Sequence, residues 1–80
     1  MTRLRDLIAE GTDALARAGI DAPGREARRI LSHVLGLDPA GLAGRELEEV
    51  PPEIAAACRD GFAHRATRAP LSHVLGYRAF

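Results

Sequence analysis

The stretch PGREARRILSHVLG, residues 23–36, decides the fold. Within it Ala27, Ile30, Leu31, Val34 and Leu35 recur at i, i+3, i+4, i+7 and i+8, the spacing of one helix face. Pro23 suits the first helical position, where its missing N–H is needed by no partner. Asp21 or Ala22 precedes it as the cap, and Asp21 has the better capping chemistry. Gly36 follows as a stop, because glycine accepts the left-handed turn after a last helical residue.

Working outward, the same period recurs on both sides. Leu4, Leu7, Ile8, Gly11, Leu15 and Ala18 place a first helix over about residues 3–18, ended by Gly19. After Gly36, Asp38 and Pro39 are the cap and first position of a short helix that Gly44 ends. RELEEVPP, 45–52, reads either as a brief helical turn or as a loop. The next long helix opens at Pro51-Pro52, with Glu53 near the positive end of its dipole. Ile54, Cys58, Phe62 and Arg65 share its face, joined by Ala55 and Gly61, and it stops near Arg68, because Ala69 precedes a proline. Pro70 opens a last short helix over Leu71–Leu75, ended by Gly76, and YRAF leaves in an extended direction. No strand pattern of useful length appears. The expected fold is an all-α bundle of four to five helices with short connections.

Gly11 and Gly61 lie inside helices, where each costs about 1 kcal/mol relative to alanine. Both fall on or near an apolar face, so the first helix and the helix after Pro51 are expected to cross closely there.

Eighty residues make at most one domain, burying about 60–65% of its unfolded surface. A hydrophobic share of 46% is too high for a disordered chain. Aromatics are only Phe62, Tyr77 and Phe80, while alanine is abundant, which favours slim, closely packed helices. The formal net charge is zero, which argues against a dedicated nucleic-acid binder. Acids gather in 45–53 and arginines in 59–78, a pattern that fits two solvated faces. MTRLRD carries no secretory pattern, and the longest apolar run, IAAAC at 54–58, is far too short for a membrane span. The single cysteine cannot form an internal disulfide. The expectation is a soluble cytoplasmic domain with neither membrane nor nucleic acid as partner.

LSHVLG occurs twice, at 31–36 and 71–76, in unlike flanks. A true repeat would carry its pattern through a whole unit. The copies share a helix ending: three apolar residues on one face, a histidine in the last turn and a terminal glycine. His33, His64 and His73 show no ligand spacing, and Cys58 lies among alanines on an apolar stripe as inert packing. There is no phosphate loop and no nucleophile elbow. No catalytic, cofactor-binding or metal residue is assigned to this segment.

RATRAPLSHVLGYRAF, 65–80, resembles the end of the N-terminal helical domain in the HemK/PrmC family, glutamine methyltransferases that modify peptide-chain release factors. The matching residues are Arg65, Arg68, Pro70, Leu71, Leu75, Gly76 and Phe80. APGREARRILSHVLG is similar to the family's second helix, with a proline at its start and Glu26-Ala27 after it. Ala69, Ala79, Arg28 and Arg29 depart from the family's usual residues, all on what should be surface or junction.

The resemblance implies that residues 1–80 are an N-terminal substrate-recognition domain. A Rossmann-like catalytic domain is then expected after residue 80, binding S-adenosylmethionine and holding the substrate amide with an Asn-Pro-Pro-Tyr motif. The parent protein would methylate the glutamine of a release factor's Gly-Gly-Gln loop. Its partners would be the release factor and its own catalytic domain. Leu71, Leu75, Tyr77 and Phe80 are the expected contacts to that domain. Arg65 and Arg68 face either the release factor or water, with water favoured because exposed charges carry little energy. Two other readings stand beside this one. The first is a stand-alone helical interaction module. The second is a helix-turn-helix DNA binder reading with Arg25, Arg28 and Arg29, which zero net charge disfavours.

Overall fold

A computed structural model describes residues 2–67. The order is β1 (Thr2–Arg3), α1 (Leu4–Arg17), α2 (Pro23–Leu35), α3 (Pro39–Ala43), β2 (Glu49–Val50) and α4 (Pro52–Ala66). The long helices α1, α2 and α4 pack on one another, and the short α3 lies against α2. The expected final helix from Pro70 lies outside the described residues.

α1 buries Leu4, Leu7, Ile8, Gly11 and Leu15, as its spacing predicts. It ends in a Schellman arrangement. The N–H of Gly19 donates to Ala16 at 3.0 Å and that of Ile20 to Leu15 at 3.0 Å. Gly19 takes φ 77, the left-handed geometry this closure requires. α2 ends the same way: Gly36 takes φ 68, and Leu37 N–H donates to Ser32. The first LSHVLG copy is thus a helix ending; the second lies outside the described residues. Asp38 caps α3, its Oδ1 accepting from Gly41 N–H at 2.7 Å.

At the start of α2 the less favoured of the two candidate caps is the one used. Asp21 is exposed and does not cap; Ala22 is the cap residue, at φ 50 and ψ 55, with no side-chain cap bond. Three residues separate Gly19 from Pro23, and Ile20 must reach the core within them. The residue before a proline is kept out of right-handed helical geometry, and Ala22 turns the chain in the left-handed region, the only non-glycine residue among those described to do so. A Cβ in this region costs about 1–2 kcal/mol. Ala22→Gly should therefore raise unfolding free energy by about 0.5–1 kcal/mol, after glycine's unfolded-state entropy is subtracted. Urea denaturation would show it as a higher midpoint at constant slope.

One departure from expectation is a small antiparallel ladder, with Thr2 opposite Val50 and Arg3 opposite Glu49. Two residues per strand are too few for an alternation signal. RELEEVPP is mostly a turn feeding this ladder. Its carbonyls perform a task that no local pattern announces. Leu4 N–H donates to Glu48 O and Arg5 N–H to Glu46 O, both at 2.9 Å. These satisfy donors that the first turn of α1 cannot pair internally. Asp6 adds its carboxylate, accepting from Arg3 N–H at 3.4 Å.

The core lies between α1, α2 and α4. Ala27, Ile30 and Leu31 come from α2, Leu42 from α3, Val50 from β2, and Ala55, Cys58 and Phe62 from α4. No polar or charged side chain is buried among the described residues. A Cβ on Gly11 would stand 2.5–2.8 Å from three carbons of the Phe62 ring, so α1 and α4 do approach closely there. Gly61 answers a different neighbour: a Cβ there would lie 2.8 Å from Ile30 Cγ2, so this glycine fits α4 to α2 rather than to α1.

Candidate functional site

Chemistry-bearing side chains do not converge in the described part of the chain. No group of three His, Cys, Asp or Glu residues is placed to hold a metal among the described residues. Cys58 is fully buried in the apolar core, where a thiol packs as a small hydrophobe. No helix among the described residues is long and apolar enough to cross a membrane. What the structure does offer is surface, patterned by arginine.

Of the residues predicted to touch partners, Arg65 is described. It sits in the last turn of α4, and its Nε donates to Glu26 Oε1 at 2.6 Å, both side chains being only 16% exposed. Arg65 is therefore mostly covered and bonded across to α2, where the sequence favoured open water. Arg68, Leu71, Leu75, Tyr77 and Phe80 lie outside the described residues.

Sequence reasoning missed a second cross-link. Arg59 on α4 grips Glu10 on α1 through two bonds, Nε to Oε1 at 2.9 Å and Nη2 to Oε2 at 3.1 Å. The same Nη2 reaches Thr2 Oγ1 on β1 at 3.2 Å. The partners are 49 and 57 positions apart, so no local pattern could have paired them. Hydrogen bonding from Arg59 to the ionised carboxylate holds Glu10 below the ordinary carboxylate range, against a smaller opposing effect of desolvation. A lowered folded pKa adds stability that is fully present above the unfolded value of about 4.5 and is lost as pH falls through the folded value. Glu10→Gln should flatten the decline of stability on the acid side of about pH 4.5, read from thermal melts across that range. The difference should be modest and should shrink in salt, because both side chains are 46% exposed.

The outer face of α2 is the most distinctive surface. Arg25, Arg28 and Arg29 stand at i, i+3 and i+4 and are all exposed, opposite the buried Ala27, Ile30 and Leu31. With Ser32, Pro39 and Leu42 they line a recess of about 650 Å³ between α2 and α3. Arg25 and Arg29 also line a second recess of about 300 Å³ beside Ala22, Glu26 and Arg65. Among the described residues none of the three arginines makes an ion pair, and the acid in their midst, Glu26, is bonded to Arg65. Like charges at these spacings cost a helix about 0.2–0.5 kcal/mol per pair. Arg25 also lies in the first turn, where the helix dipole disfavours a cation. The signal for this face was present in the sequence as ARR after GRE, but it was attached to DNA reading.

A third surface is an apolar cleft of about 340 Å³ bordered by Val34, Leu35, Leu37, Pro51 and Ile54. The Arg45–Glu48 pair, 3.4 Å apart, lies at its edge.

The family model for the PrmC N-terminal domain matches residues 6–76. The chain belongs to the PrmC N-terminal domain family. This PrmC-type chain is 42% identical over 74 residues to a release factor glutamine methyltransferase of Deinococcus radiodurans, covering 92% of the chain and 27% of that protein. It is 40% identical over 78 residues to the protein of that name from Cereibacter sphaeroides, covering 98% of the chain and 28% of the relative. Against the Mycolicibacterium smegmatis protein of that name it is 40% identical over all 80 residues, which are 28% of the relative. The chain thus spans about a quarter of the length of these curated relatives. No solved structure matches it.

Proposed function

We propose that this chain is the docking domain of a release factor glutamine methyltransferase, holding the release factor while another part of the same protein methylates its Gly-Gly-Gln glutamine. The observation that supports this most is the PrmC N-terminal match over residues 6–76, together with relatives that bear that enzyme's name. The methyl group would come from S-adenosylmethionine. The described residues do not fit that donor: both strands are two residues long, and neither leads into its helix through a glycine-rich turn. Donor binding and methyl transfer therefore belong, on this reading, to the remainder of the parent protein.

What a docking block contributes is orientation. An amide nitrogen is a poor nucleophile, so holding the two reactants in register supplies part of the rate. A rigid block suits that role, and the Arg59–Glu10 and Arg65–Glu26 links brace α4 against the other two long helices. Leu71, Leu75, Tyr77 and Phe80 would then contact the catalytic domain, and Arg68 would face the release factor or water.

The test is steady-state methylation of a purified release factor by the full-length protein and by a form lacking residues 1–67. Removal should raise KM for the release factor about tenfold or more while leaving donor affinity unchanged. An unchanged KM, or a loss of donor binding alone, would refute the assignment.

A further inference from the structure

We propose that the Arg25–Arg28–Arg29 face of α2 docks an acidic segment of a partner protein, its carboxylates meeting the guanidinium groups and an adjoining apolar side chain entering the recess over Pro39 and Leu42. The proposal rests on reading the domain as a docking block and names the chemistry of what docks.

Four observations carry it. First, the three arginines share one helix face at i, i+3 and i+4 and are exposed. An acidic segment with its own carboxylates three or four residues apart can meet them together, and guanidinium binds carboxylate through paired bonds. Second, none of the three has an acidic partner among the described residues, and residues 68–80 contain no Asp or Glu that could supply one. Third, the arrangement works against the helix that bears it: the arginines repel one another, and Arg25 faces the positive end of the dipole. An acidic partner would relieve both costs. Fourth, the recess is not purely basic. Pro39 and Leu42 line it, which suits a protein segment better than a ribose-phosphate strand. The formal net charge of zero likewise gives no extended track for phosphates.

The experiment titrates the full-length protein carrying this domain with a fluorescein-labelled helical peptide of alternating Glu and Leu turns. A Gln-for-Glu peptide and a single-stranded RNA of similar length are the comparison probes. The Glu peptide should bind at least about tenfold more tightly than the Gln peptide, with affinity falling as salt rises. Arg25→Glu with Arg29→Glu should abolish that preference, while the melting temperature stays level or rises because helix repulsion is relieved. Arg25→Gln with Arg29→Gln should weaken binding part-way and provides a milder pair should the reversal misfold. Equal binding of the two peptides, binding indifferent to both variants, or tighter binding of RNA would overturn the proposal. So would self-association lost on charge reversal, since that would make the occupant the acidic 46–53 stretch of a second copy. Truncation kinetics and peptide titration are separate readouts, so the docking reading and this one can fail independently.

Discussion

Phe62→Ala is expected to remove about 3–5 kcal/mol of stability. Phe62 is the one aromatic side chain among the described residues; it is 3% exposed and lies against α1 at Gly11. Truncation would empty the contact between two of the three long helices, and Gly11 has no side chain with which to refill it. At about 0.05–0.15 kcal/mol per residue, a domain of eighty residues holds only about 4–12 kcal/mol in total. The loss would consume a large part of that margin. Chemical denaturation followed by far-ultraviolet circular dichroism would show a strongly lowered midpoint, or a chain already unfolded in buffer. Phe62→Leu, which keeps most of the volume, should lose less than half as much. A Phe62→Ala midpoint within about 1 kcal/mol of the parent would mean that α1 and α4 do not depend on this ring.

The second large effect runs against simple helix propensity. Alanine is favoured over glycine inside a helix by about 1 kcal/mol, so Gly11→Ala taken alone should stabilise α1. The structure predicts the opposite sign. The new Cβ would fall 2.5, 2.6 and 2.8 Å from three carbons of one ring. A buried aromatic ring has no flexible end to swing aside, so either the helices separate or Phe62 leaves its rotamer. Overpacking of this kind costs about 1–3 kcal/mol. The net outcome expected is destabilisation, measured as a lower urea midpoint. Combining Gly11→Ala with Phe62→Leu should recover part of the loss, with an interaction energy of at least about 1 kcal/mol in a double-mutant cycle. Additive losses would show that the two positions do not meet.

These glycines also show where the sequence stops being informative. The stripes of α1 and α2 were readable because helical period is a local signal repeated over several turns, and the stops at Gly19 and Gly36 and the cap at Asp38 because each uses chemistry within a few residues. That Gly11 and Gly61 marked close packing was likewise visible. Which helix each one faces was not, because that depends on how three helices are rotated in space. Asp21 and Ala22 were both candidate caps, and capping chemistry favoured the wrong one, because the choice falls on how Ile20 reaches the core and not on side-chain type. The Arg59–Glu10 and Arg65–Glu26 links join residues far apart in the chain, and charge patterning speaks only to neighbours. The candidate surface divides similarly. The family resemblance came from residues 65–80 and from the α2 stretch, and the exposed face given most definition by the structure is on α2. Its arginines were noticed in the sequence; the lack of acid partners and the recess over Pro39 and Leu42 needed three dimensions.

The donors of Leu4 and Arg5 at the head of α1 close on the carbonyls of Glu48 and Glu46. During synthesis, then, the amino-terminal helix is made first but finished late. At about 5–20 residues per second the ribosome takes a few seconds to add the stretch that seals it. Until then the nascent α1 carries open amides at its leading end, and the bundle can lock only once most of the segment has cleared the exit tunnel.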